Sequence, residues 1–216
     1  MEVVGTFLFY ARMVDHTMLP AVTFISKKQS APTKQTLAAA HMLLRYAVSH
    51  PNHSVTFHAC DMVLTVISDG SHLSQEHAGS IAGGYHYCGN KNDAPGILNG
   101  AILPVCSSIP TVCGTASETE YAALYVNGQH AYFERVVLES LGYPQAATKL
   151  YADNKAAVGI ASDSVKLRNS KAIDMRYHWI RDRVRQKVFD VIWAEGKGND
   201  ADFFTNFNLR QGISTS

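Results

Sequence analysis

Three apolar runs rich in β-branched residues follow one another between Met62 and Ile109, with turn residues between them. "MVLTVIS" (62–68), "AGSIAGGYHYCG" (78–89) and "GAILPVCSSI" (100–109) each contain a segment of strand length and strand composition. The order strand–turn–strand–turn–strand predicts an antiparallel meander, so the middle of the chain is committed to a sheet. Within it, Gly83–Gly84 predicts a bulge or a close approach of another backbone, and Pro104 an irregularity or a sheet edge. Asp69 and Gly70 follow the first run directly, and both favour turns, so the chain is expected to reverse there.

The flanks are helical in character. "VGTFLFYARMV" reads as a helix, and Asp15 or Thr17 is placed to cap a second through "LPAVTFISKK". Pro32 and Thr33 open a third, which should stop before Pro51. "PNHS" is a turn signal, and the domain boundary falls near residues 50–56. After the meander, "SETEYAALYVNGQHAYFERVVLESLGYP" reads as a long helix capped by Ser117 and ended by Gly142 and Pro144. "TKLYAD" is a short strand, "NKAAVGIAS" a short helix, "KAIDMRYHWIRDRVRQK" a basic helix, "VFDVIWA" a final strand and "NDADFFTNF" a short terminal helix. This order describes an α/β fold with a mixed five-stranded sheet flanked by helices. A helical segment over residues 1–55, an α/β domain over 56–210 and a disordered tail over 211–216 complete the expected organisation.

Composition narrows the function classes. At 216 residues and 46% hydrophobic the chain can bury a sizeable core, yet no segment is apolar enough to span a membrane. The opening "MEVVGTFLFYARM" carries Glu2 where a signal peptide wants positive charge, and Arg12 breaks its apolar run. An intracellular, non-secreted protein is expected. The four cysteines form no C-x-x-C pair, which argues against zinc and for free thiols in a reducing compartment. Net charge is +1, but it is unevenly spread. Residues 61–162 carry four basic and nine acidic groups, whereas residues 163–187 carry eight basic and three acidic. An acidic site that gathers cations, beside a basic surface that holds phosphates, gives this pattern. A solvated helix face gives it too.

The carboxylates bear on that choice. Asp69 ends the first predicted strand, Asp153 ends "KLYAD", Glu118 or Glu120 lies in the first turn of the long helix, and Asp200 or Asp202 opens the last one. Acidic groups at the ends of core elements lie where α/β folds commonly build their sites. Clustered carboxylates repel one another unless cations neutralise them. Hard oxygen ligands without a His/Cys set suit Mg2+ or Mn2+, and two such ions can activate a water and stabilise a leaving oxygen in phosphodiester cleavage.

With those residues placed, the chain resembles the ribonuclease H domain of copia-type retrotransposon polyproteins over nearly its whole length. "SDGSHLS" is similar to that family's first-strand aspartate motif, "ASETEYAALYV" to its T-E-x-E-Y helix start, and "YADNKAAVGIA" to its D-N motif. "RNSKAIDMRYHWIRDRV" resembles its K-x-I-D-x-R-Y-H-x-I-R helix, and "NDADFFTN" its closing N-x-A-D-x-x-T-K. "AHMLLRYAV" resembles the helical segment that joins the reverse transcriptase to the ribonuclease H, so residues 1–55 take the place of the end of that connection region. A Y-x-D-D polymerase turn is not found, since Tyr151-Ala152-Asp153-Asn154 lacks the second aspartate. The family lysine of the closing motif is replaced by Asn206. Gly70 stands where a small non-glycine residue is common.

The resemblance implies a ribonuclease H-like fold and a metal-dependent endonuclease that hydrolyses the RNA strand of RNA·DNA hybrids during reverse transcription. The family's catalytic and metal-binding carboxylates fall on Asp69, Glu120, Asp153 and Asp202, with two Mg2+ or Mn2+ ions between them. Arg168, Lys171 and Arg176 are the implied nucleic-acid contacts, and His178 is given a packing or hydrogen-bonding role. The implied partners are an RNA·DNA hybrid and the polymerase region of the same polyprotein, with no membrane. The implied location is the cytoplasm, a virus-like particle or the nucleus. Two other readings stand beside this one. The first is a non-catalytic retrotransposon remnant or connection module that binds nucleic acid or protein. The second is a metal-dependent DNA nuclease or integrase of related fold.

Overall fold

The computed structural model describes residues 2–92, 99–162, 178–196 and 198–205. Within that range the chain divides into a helical unit up to Thr56 and an α/β unit from Phe57 to Thr205. Among the described residues no helix is long and apolar enough to cross a membrane.

The helical unit holds α1 (Glu2–Met13), a 3-10 turn (His16–Met18), α2 (Leu19–Lys27) and α3 (Lys34–Ser49). Asp15 caps the turn, accepting from the Thr17 backbone N–H, and Pro20 sits in the first turn of α2. Thr33 and Thr36 exchange the reciprocal bonds of a capping box at the start of α3. The helix stops at Ser49, two residues before Pro51, as the steric restriction on a residue preceding proline predicts.

The α/β unit is built on β1 (Val63–Gln75), β2 (Gly79–Gly89), β3 (Ala101–Ile109), β4 (Thr148–Ala152) and β5 (Phe189–Trp193). Its helices are α4 (Ala116–Ser140), α5 (Lys155–Ala161), α6 (His178–Arg185) and α7 (Asp202–Thr205). The strand order is β3-β2-β1-β4-β5. The first three strands pair antiparallel, whereas β4 and β5 run parallel to β1. This is a mixed five-stranded sheet, three antiparallel strands and then two further ones, as the order of the predicted elements describes. Pro104 lies on β3, the edge strand, where a missing N–H costs least, and the ladder shifts register beside it at His86/Tyr87.

One face of the sheet carries the core. Leu64, Val66, Leu150 and Val191 pack with Tyr121, Ala122, Leu124, Ala131 and Leu138 of α4, and Ile180 and Phe189 close the far end. Each fully buried Leu, Val or Phe side chain contributes about 1.5–3 kcal/mol. Beneath α4, Asn127 donates to Ser68 Oγ (2.9 Å) and the Gly83 carbonyl (2.8 Å), and its Oδ1 lies 3.1 Å from His86 Nε2. His86 Nδ1 in turn meets Glu134 Oε2 at 2.7 Å. This buried polar chain ties α4 to β1 and β2 in one register.

Two expectations are corrected. The first strand does not end at Asp69. β1 runs on to Gln75, Asp69 pairs with Gly83 in mid-ladder, and the chain reverses at Glu76–Ala78. Two strong partners, Ala82 and Ile81, hold Gly70 and Ser71 extended, which overrides their turn preference. Thr115 rather than Ser117 caps α4, accepting from the Glu118 N–H, while the Glu118 carboxylate bonds the Gly114 N–H at 2.8 Å. The helix ends as Gly142 predicts. That residue has φ +91°, and the Gly142 and Tyr143 amides bond back to Glu139 and Leu138 at 3.0 Å. Gly83–Gly84 makes a close approach without a bulge, for both glycines stay in register opposite Asp69 and Ser68. The tail proposed over residues 211–216 lies outside the described residues.

Candidate functional site

Parallel pairing of β1 with β4 brings the first two carboxylates together. Ile67 is opposite Tyr151 in that ladder, so two residues further on Asp69 and Asp153 stand side by side. Asp153 is the first residue beyond β4, and Asn154 behind it caps α5 by accepting from the Ala156 and Ala157 N–H groups. Trp193, at the end of β5, donates from Nε1 to the Asp153 carbonyl at 2.9 Å and fixes that turn. The loop after β5 also lies close, because a Cβ on Gly196 would stand 2.7 Å from Asp153 Oδ2.

Glu120 arrives from the first turns of α4. Side chains alternate along β1, and Ser68 and Gly70 face the helix. A Cβ at Gly70 would meet the Thr119 carbonyl oxygen at 2.9 Å and the Glu120 nitrogen at 3.0 Å. Glycine at position 70 therefore lets the start of α4 lie against the strand, rather than loosening a turn. Asp69, Glu120 and Asp153 consequently gather, with one carboxylate oxygen of each within 4.8 Å of the others. Asp69 and Glu120 are buried and Asp153 is half-buried.

Burial, followed by mutual repulsion, raises the affinity of this group for protons. Glu120 is pushed up to about 9, chiefly by desolvation and then by the charges of Asp69 and Asp153. Asp69 rises to about 6 through desolvation, against the Thr205 hydroxyl, which favours its charged form, and with further repulsion from Asp202 and Asp153. Asp153 is raised by desolvation, and Asp202 adds to it. Glu120 Oε2 is buried without any hydrogen-bond partner. A carboxylate oxygen left alone among like charges requires a proton or a cation. The donor set is all hard oxygen, so the residues fit a divalent cation of the magnesium or manganese type.

Asp202 stands apart from this triad. It opens α7 on the surface, and its charge is felt by Asp69, Glu120 and Asp153, but it is not one of the three gathered ligands. Asp200 is exposed and does not cap α7, because the Asn199 side chain accepts from the Ala201 N–H at 3.1 Å. His178 is exposed at the first described residue of α6, which does not support a packing role. Arg168, Lys171 and Arg176 lie outside the described residues. A cavity of about 240 Å³ opens beside Asp153 over Ile67, Tyr87 and Tyr151. Sequence reasoning missed Thr205, whose hydroxyl donates to Asp69 Oδ2. It also missed Trp193 and Gly196, which no local pattern marks.

No protein-family model matches the chain. The retrovirus-related Pol polyprotein from transposon TNT 1-94 of Nicotiana tabacum is 26% identical over 206 residues, 94% of this chain, and the chain spans 15% of that relative's length. Among solved structures, the N-terminal RNase H domain of a Mycobacterium tuberculosis protein, fused to maltose-binding protein, is similar at 16% identity. The match covers 67% of this chain and 91% of that one with a TM-score of 0.48. LC11-RNase H1 in complex with an RNA/DNA hybrid is similar at 15% identity, covering 70% and 99% of the two chains with a TM-score of 0.45. The chain is thus similar over nearly its whole length to one short part of a retrotransposon Pol polyprotein.

Proposed function

We propose that the α/β unit is a metal-dependent endonuclease that hydrolyses the RNA strand of RNA·DNA hybrids in retrotransposon reverse transcription. One observation carries this reading. The buried Asp69/Glu120/Asp153 group ends on an unpartnered Glu120 oxygen, an arrangement costly for a purely structural site and suited to a hard cation. When bound, a pair of Mg2+ or Mn2+ ions supplies an activated water and charge stabilisation at the leaving oxygen. Asp69 and Asp153, from adjacent strands, and Glu120, from α4, would hold these ions through their carboxylate oxygens. Asp202 adds a fourth carboxylate from the surface. Selection of RNA over DNA rests on 2′-hydroxyls in the minor groove of the hybrid. Arg168, Lys171 and Arg176 are proposed as phosphate contacts, and the helical unit is proposed to correspond to the connection region that precedes the nuclease.

Replacing Asp153 with Asn tests this against the non-catalytic reading. We expect the variant to retain hybrid binding in a gel-shift assay and to lose cleavage. If the unsubstituted protein binds the hybrid but cuts no better than the variant, the chain is a binding module.

A further inference from the structure

We infer that Thr205 is a positioning residue for the metal-binding carboxylate of Asp69, and that Gly83 is the seat that brings it there. The inference rests on the proposed metal site and adds a residue to it. Thr205 is the last residue of α7 and is buried. Its hydroxyl donates to Asp69 Oδ2 and lies 3.1 Å from the Asp202 carbonyl oxygen one turn back. The Asp69 carboxylate also takes a backbone hydrogen bond from Gly70 on its own strand, and the Thr205 hydroxyl adds a side-chain bond from α7 that helps select its rotation. The hydroxyl bonds Oδ2, and one carboxylate oxygen of Asp69 lies within 4.8 Å of those of Glu120 and Asp153.

The sheet explains how so short a helix reaches the site. Gly83 is the cross-strand partner of Asp69. A Cβ there would stand 2.6 Å from both the Ala201 carbonyl oxygen and Thr205 Cγ2. Only glycine lets the last turn of α7 settle directly on β2, next to Asp69. Cys106 holds the same turn from β3 by donating its thiol to the Phe204 carbonyl at 3.1 Å. One helical turn thus carries Asp202 at its head and the hydroxyl that orients Asp69 at its foot. Groups that orient a ligating carboxylate typically change metal affinity about 10–100-fold when removed.

The test measures Mn2+ binding to the full chain by titration calorimetry, with hybrid cleavage followed alongside. Thr205→Val keeps the methyl packing and removes the hydroxyl. Thr205→Ser and Thr205→Ala both lack the methyl and differ only in the hydroxyl, so their comparison decides the matter if the valine variant does not fold. We expect Thr205→Val to weaken Mn2+ binding by about tenfold or more and to lower kcat with the hybrid KM held within about twofold. Thr205→Ser should bind Mn2+ within about threefold of the unsubstituted chain, and Thr205→Ala about tenfold more weakly than Thr205→Ser. Equal Mn2+ affinity for Thr205→Val and the unsubstituted chain, or for the Ser and Ala variants, overturns the inference. So does failure of the unsubstituted chain to bind Mn2+. A chain that binds Mn2+ in the expected hydroxyl-dependent way yet leaves the hybrid intact refutes the nuclease reading and leaves the role of Thr205 standing.

Discussion

Gly70 lies against the backbone of Thr119 so closely that a Cβ on the glycine would stand 2.9 Å from the threonine carbonyl oxygen. That contact sets the distance between β1 and the start of α4, and with it the reach of Glu120 toward Asp69 and Asp153. Substituting Gly70 with Val is therefore expected to destabilise the domain by about 1–3 kcal/mol, the usual cost of overpacking. It should also displace Glu120. Urea denaturation measures the first effect and Mn2+ titration the second. A variant with unchanged midpoint and unchanged Mn2+ affinity would show that the helix is not seated by the glycine.

The raised carboxylates make a prediction about pH. A group that binds its proton more tightly in the folded state adds stability below its unfolded value and loses that contribution as pH rises through the folded one. Glu120 spans the window from 4.5 to about 9, and Asp69 the window from 3.8 to about 6. In EDTA the melting temperature should fall steadily between about pH 5 and pH 9, and saturating Mg2+ should flatten that fall. Thermal melts at three pH values, with and without metal, measure it. A profile in EDTA as flat as that in Mg2+ would contradict the clustering of these charges.

Stability and function should part company at Glu120. Its Oε2 is buried without a partner among like charges. Glu120→Gln is expected to raise the metal-free melting temperature at pH 8 while abolishing measurable Mg2+-dependent stabilisation. A lower metal-free melting temperature than the unsubstituted protein would indicate that the glutamate is structurally satisfied.

Asn127 makes a prediction about the scaffold alone. Its amide serves Ser68, the Gly83 carbonyl and His86 together, all within the buried layer. Asn127→Leu leaves several of these groups unpaired, at about 1–3 kcal/mol for each. Urea denaturation should therefore show a loss of about 2 kcal/mol or more. A loss below 1 kcal/mol would mean the network contributes little.

The elements of the fold were largely legible, because their signals are local. The meander follows from three β-branched runs, the end of α4 from Gly142, and the start of α5 from Asn154. The cap of α4 follows the T-x-x-E pattern that begins at Thr115. What local reading could not supply was the role of glycines whose neighbours come from elsewhere in the chain. Gly70 looks like a turn residue until Thr119 is placed beside it, and Gly83 like a bulge until Thr205 is. The same limit hid the end of β1, since Ser71 to Gln75 lacks apolar alternation and pairs with β2 only at Ser71 and Gln75, across an irregularity where Leu73 has φ +51°. Three of the four candidate carboxylates, Asp69, Glu120 and Asp153, come together, while Asp202 stays at the surface outside the triad.

The most direct measurement is strand-resolved cleavage. The full chain, saturated with Mg2+ or Mn2+, is incubated with a hybrid labelled on the RNA strand and with the same hybrid labelled on the DNA strand. The account predicts short RNA products that need the metal, an intact DNA strand, and no products from Asp153→Asn. A folded, metal-bound chain that leaves the RNA strand whole would contradict it.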